Sequence, residues 1–157
     1  MMKRISAFCV LLVLVVPLQA LAQQIIDSGA STGLERNASP EGASVSFASL
    51  KDGDVVPKSF TVRFRVSGMK VRPAGTMEEN SGHHHLLIDV DELPPMDLPL
   101  PNNESVYHFG KGQKSAVITL PPGQHTLQLL FANYLHIPHD PPVMSEKITV
   151  TVAEDGE

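Results

Sequence analysis

Residues 59–67, Ser-Phe-Thr-Val-Arg-Phe-Arg-Val-Ser, constrain this chain more than any other stretch. Phe60, Val62, Phe64 and Val66 alternate with Thr61, Arg63 and Arg65. Successive strand side chains project to opposite faces, so this pattern puts one apolar face in a core and one polar face in water. The same period recurs along the chain. Val45 and Phe47 share a face, as do Ala116, Ile118 and Leu120. So do Leu127, Leu129 and Phe131, with His125 in line, and then Ile148, Val150 and Val152. Asp52-Gly53-Asp54 and Pro121-Pro122-Gly123 supply turns between strands. No stretch carries a convincing helical period. The expectation is one all-β domain over residues 44–153, an Ig-like antiparallel β-sandwich of about seven strands. Leu130 and Ala132 lie on the second face of their strand, which suggests cover on both sides there. The proline-rich residues 92–105 and the residues 134–143 read as loops.

The N-terminus reads differently. Met1-Met2-Lys3-Arg4 is basic, an apolar run follows, and Ala20-Leu21-Ala22 has small residues at the two positions a signal peptidase reads. Residues 1–22 are therefore expected to be a signal peptide, with the exported chain starting at Gln23. A membrane anchor is the competing reading, but the apolar run is shorter than the ~20 residues a spanning helix needs. Cleavage would remove Cys9, the one cysteine of the 157 residues, and with it any disulfide or thiolate chemistry. It would also leave ten basic against seventeen acidic residues, a net charge of −7. That balance disfavours nucleic acid and anionic membrane as partners and favours cations. Residues 23–43, rich in Ser, Gly, Ala and Asn, read as a flexible lead-in, and residues 154–157 as an acidic tail. The expected location is periplasmic or secreted.

The chemistry lies in the histidines. Gly82-His83-His84-His85-Leu86-Leu87-Ile88-Asp89 reads as a strand with a histidine-bearing end and an apolar end. His84 falls on the face of Leu86, Ile88 and Val90, and His83, His85, Leu87 and Asp89 on the other. An imidazole pair at i and i+2 can hold one metal ion. Two more ligands would complete a tetrahedral shell for zinc or a tetragonal one for copper(II). His108, His136 and His139, each near glycine or proline, are the candidates, with Met144 as a thioether alternative. Asp89 is expected to orient His85 by accepting a ring hydrogen bond. His84 and His125 are expected to pack in the core, His125 bonding back to the turn before it. The competing reading is a solvated strand end with ordinary loop histidines.

Four segments carry a resemblance. They are Gly82 to Asp89; His108-Phe109-Gly110-Lys111-Gly112-Gln113; Leu120 to Leu129 with its Pro-Pro-Gly turn; and His136-Ile137-Pro138-His139-Asp140-Pro141-Pro142-Val143-Met144 with the residues up to Val150. Together they resemble a bacterial family of small secreted proteins known only as a domain of unknown function, DUF4399. The resemblance implies an exported β-sandwich and no activity.

No Gly-x-Ser-x-Gly turn, phosphate loop or cysteine nucleophile is present in the sequence. Three functions remain open at this point. One is a non-enzymatic copper or zinc binder. Another is a structural or interaction module of the cell envelope. The last is a metal-dependent hydrolase in which histidines leave a metal position open for water.

Overall fold

The computed structural model describes Leu34 and residues 36–154. The expected signal peptide, most of the lead-in and the last three residues of the tail lie outside the described residues. Among those described, the chain is all-β, with strands β1 (Ser44–Phe47), β2 (Val55–Val56), β3 (Ser59–Ser67), β4 (Lys70–Val71), β5 (Ser81–Ile88), β6 (Val106–His108), β7 (Ser115–Thr119), β8 (Gly123–Ala132), β9 (Pro138–Met144) and β10 (Ile148–Val152). No helix among them is long and apolar enough to cross a membrane.

The strands form two sheets. A three-stranded sheet has the order β1-β3-β7, and a larger one the order β2-β10-β8-β5-β4, with β6 added to β5 and β9 to β8. The alternation in β3 does what its pattern requires: Phe60, Val62 and Phe64 are buried while Thr61, Arg63 and Arg65 are exposed. They meet Leu86 and Ile88 of β5, Leu127, Leu129 and Phe131 of β8, and Val150 of β10 in the core between the sheets. A large apolar side chain buried in this way stabilises by about 1.5–3 kcal/mol relative to exposure, so this shared face holds the sheets together.

The larger sheet also has a covered outer face. Leu87, Val106, Leu130 and Ala132 pack there with Leu100, which the proline-rich loop brings down over β5 and β8. All eight residues of β5 are consequently buried. The end of β8 is covered on both sides, as Leu130 and Ala132 suggested.

Two expectations need correction. Residues 138–144 form a strand where the sequence reads as loop. Prolines are tolerated because β9 is an edge strand, where missing N–H donors break no central ladder. Opposite β9, Phe131 pairs with Val143 and Ala132 with Pro138, so residues 139–142 bulge away from β8. The lead-in is not free throughout. Ala38 bridges Asp140, Ser39 N–H donates to the Asp140 carbonyl at 2.9 Å, and Asp140 N–H to that of Asn37 at 2.9 Å.

Candidate metal centre

β5 lies between β8 on one side and β4 and β6 on the other. Its pleat separates the three histidines. His84 enters the core between the sheets, its ring centroid 5.0 Å from Phe64 and 5.0 Å from Phe131. His83 and His85 point to the opposite face, their centroids 4.8 Å apart.

Two further histidines meet them there. Antiparallel register sets His108 of β6 directly across from His85. The other arrives on the turn after β8, which Asn133 builds. Its side-chain Oδ1 accepts from Leu135 N–H at 2.9 Å and Ile137 N–H at 3.0 Å, and its carbonyl accepts from His136 N–H at 2.9 Å. At the head of this turn His136 adopts φ 67°, the left-handed region that non-glycine residues seldom occupy. Its ring lies 4.9 Å from His83, 4.6 Å from His108 and 6.0 Å from His85, centroid to centroid. The His83–His108 and His85–His108 separations are 4.9 and 5.2 Å. One ring nitrogen from each of His83, His85 and His108 lies within 4.8 Å of the other two.

The inner imidazoles lack hydrogen-bond partners. His83 and His85 are fully buried, yet neither ring nitrogen of either makes a hydrogen bond, nor does Nε2 of His108. A buried polar atom left unsatisfied costs about 1–3 kcal/mol, so the cluster concentrates a large deficit in one place. Burial, and then the neighbouring imidazoles His136 and His108, push His83 down to about 3. Burial, followed by His83, His108 and His136, pushes His85 down to about 2. His108 is lowered by burial and then by His136. The inner rings are therefore neutral at pH 7, which is the form that donates a lone pair to a metal ion.

A glycine makes room for this geometry. A Cβ at Gly110 would run into Cε1 and Nε2 of the His108 ring. In the sequence Gly110 reads only as part of a turn. In the sequence Asn133 reads as part of the loop before the last histidines, and its turn-building role emerges only in the structure. Its signal was local: an Asn before a short segment is a residue that organises turns through its side chain.

The other candidate residues go elsewhere. His139 is buried, but its ring stacks on Phe131 at 6.1 Å and its Nδ1 faces the Phe131 carbonyl at 3.4 Å. The bulge in β9 resets its facing, so strand parity does not carry it to the cluster. Met144 packs on the apolar patch around Leu87 and Leu130 as a gap filler. Asp89 does not serve His85. At φ 54° it leaves the strand and turns toward β8, where its carboxylate accepts from Thr126 N–H at 2.8 Å and lies 2.6 Å from His125 Nδ1. His125 Nε2 sits 2.9 Å from the Pro121 carbonyl, the contact back to the turn that the sequence suggested. Burial alone would lower the His125 pKa, but the Asp89 hydrogen bond, the Pro121 carbonyl and the Asp89 charge outweigh it and raise the pKa.

Residues 62–153 match the model of a family described as a domain of unknown function, DUF4399. The chain belongs to the DUF4399 family. The matched span contains all four clustered histidines together with Gly110 and Asn133. No curated protein and no solved structure matches the chain. The match runs from β3 to β10 and carries no activity with it.

Proposed function

We propose that this protein is an exported, non-enzymatic binder of one transition-metal ion, copper(II) or zinc, held by His83, His85, His108 and His136. The observation that carries the reading is the convergence of buried imidazole nitrogens without hydrogen-bond partners. A metal ion satisfies several such nitrogens at once, at metal–nitrogen distances of about 2.0–2.1 Å. A tetrahedral shell needs nitrogens about 3.3 Å apart. One nitrogen each from His83, His85 and His108 lies within 4.8 Å of the others, so binding would require these rings and that of His136 to turn inward. Four imidazoles and no thiolate suit zinc in a tetrahedral shell or copper(II) in a tetragonal one. His108 and His136 are only half-buried, so an ion would enter past them to the two inner rings. Asp89, on the histidine strand itself, is engaged by Thr126 and His125 and so is not free to serve as a base at the cluster, which favours binding over hydrolysis. The role would be handling or delivery of the ion outside the cytoplasm, after cleavage behind Ala22.

The test is the metal content of untagged protein purified from the exported fraction, followed by calorimetric titration of the stripped protein with zinc and copper(II). One bound equivalent that is lost in His83→Ala/His85→Ala supports the reading. Metal uptake indifferent to both substitutions removes it and leaves a structural module. The intact mass of the same preparation tests export: a chain retaining residues 1–22 would rule out the cleavage.

A further inference from the structure

The third histidine of β5 faces a different site. His84 is fully buried, and neither of its ring nitrogens has a hydrogen-bond partner. An imidazole always carries at least one N–H or lone pair to satisfy, and the Phe64 and Phe131 rings on either side offer it little. His84 does line a cavity of about 410 Å³ between the end of β3, β4 and the start of β5. It is the most deeply buried of the lining residues, with Phe64 next. Val66, Met69 and Val71 form apolar walls.

Cations surround this cavity in an otherwise acidic chain. Arg65, Lys70, Arg72 and Lys114 all line it, and no carboxylate does. Lys70 and Arg72 share Glu78 at 2.6 and 2.5 Å. Arg65 and Lys114 are exposed and belong to no ion pair among the described residues. The cavity therefore presents an apolar body, positive charge at its exposed edge and one unsatisfied polar side chain at its inner end. Ligand pockets commonly combine apolar walls with a few placed polar groups in this way.

We propose that this cavity binds a small organic anion. Its carboxylate would rest on Arg65 and Lys114, its apolar body on Phe64 and Met69, and a hydroxyl or carbonyl at its far end would bond His84. The site is separate from the histidine cluster, because the pleat of β5 sends His84 and its two neighbours to opposite faces of the sheet. The proposal holds whether or not the cluster binds metal.

Calorimetric titration of the exported chain, stripped of metal, with 4-hydroxybenzoate, benzoate and inorganic phosphate tests it. The expected result is saturable binding of 4-hydroxybenzoate, about five- to ten-fold weaker binding of benzoate for want of the hydrogen bond to His84, and no binding of phosphate. Arg65→Ala with Lys114→Ala, both at exposed positions, should retain the fold by circular dichroism and weaken 4-hydroxybenzoate about ten-fold or more. His84→Phe should erase the preference for the hydroxyl. No binding of either benzoate up to about 10 mM would overturn the proposal. So would an affinity unchanged by the Arg65/Lys114 pair, or phosphate binding as tightly as the organic anions.

Discussion

His85 of β5 stands directly opposite His108 of β6, with ring centroids 5.2 Å apart and planes inclined by only 28°. Two near-parallel imidazoles in a covered sheet face gain little from each other as neutral rings. The inner one leaves both nitrogens without a hydrogen bond. This pair separates a ligand site from ordinary packing, because the two roles respond oppositely to an apolar replacement.

His85→Leu tests that difference. An unsatisfied buried imidazole exchanged for an apolar side chain of similar size removes an uncompensated polar group. Metal-free His85→Leu is expected to be as stable as the wild type or up to about 1 kcal/mol more stable in urea unfolding, and to lose metal binding. A histidine that bonded its surroundings would instead lose about 1–3 kcal/mol on this change.

Gly110→Ala should act on the site without replacing a candidate ligand. The added methyl falls on the His108 ring and must push it aside. Metal affinity should drop at least about ten-fold, while stability changes less, because only the far end of the half-buried His108 ring has to move. Zinc titration alongside urea unfolding reads both quantities.

His136→Gly should relieve backbone strain while removing a candidate ligand. Glycine accepts φ 67° without the side-chain penalty. Stability is expected to hold or rise by up to about 1 kcal/mol, and metal affinity to fall. Stability and affinity moving in opposite directions would show that the strained conformation serves the site. A loss of stability without loss of affinity would assign His136 to the turn alone.

Acid should unfold the metal-free protein earlier than carboxylate titration alone explains. Burial lowers His83 to about 3 and His85 to about 2, in both cases helped by neighbouring imidazoles, and lowers His84 to about 4 with Lys114 adding to the effect. In the unfolded chain these rings take up protons near 6.5. Between that value and their folded values the unfolded state binds more protons, so stability is full above pH 6.5 and falls as the pH drops through the window. Each ring contributes up to about 1.4 kcal/mol per pH unit, and the three together up to about 4 near pH 5. Circular dichroism against pH should place the unfolding midpoint above the carboxylate range. His83→Leu/His85→Leu should shift it to lower pH.

Period-two alternation was enough to make the β-sandwich and the facing of β5 legible, because strand geometry ties a residue's direction to its parity. Phe60 to Phe64 gave the core face of β3, and the same rule sent His84 one way and His83 and His85 the other. Parity holds only while a strand runs unbroken. Asp89 leaves it at a positive φ and serves His125, and the bulge after Pro138 turns His139 onto Phe131. Which distant histidines meet at β5 depended on pairing register across the sheet and on the turn that Asn133 builds. Those are contacts between residues far apart in the chain, and no local pattern encodes them. The sequence by itself determined which side of β5 each histidine takes. The tertiary structure decided that His108 and His136 join His83 and His85, and that His84 faces a cation-edged cavity, because only packing brings β3, β4 and β6 against that strand.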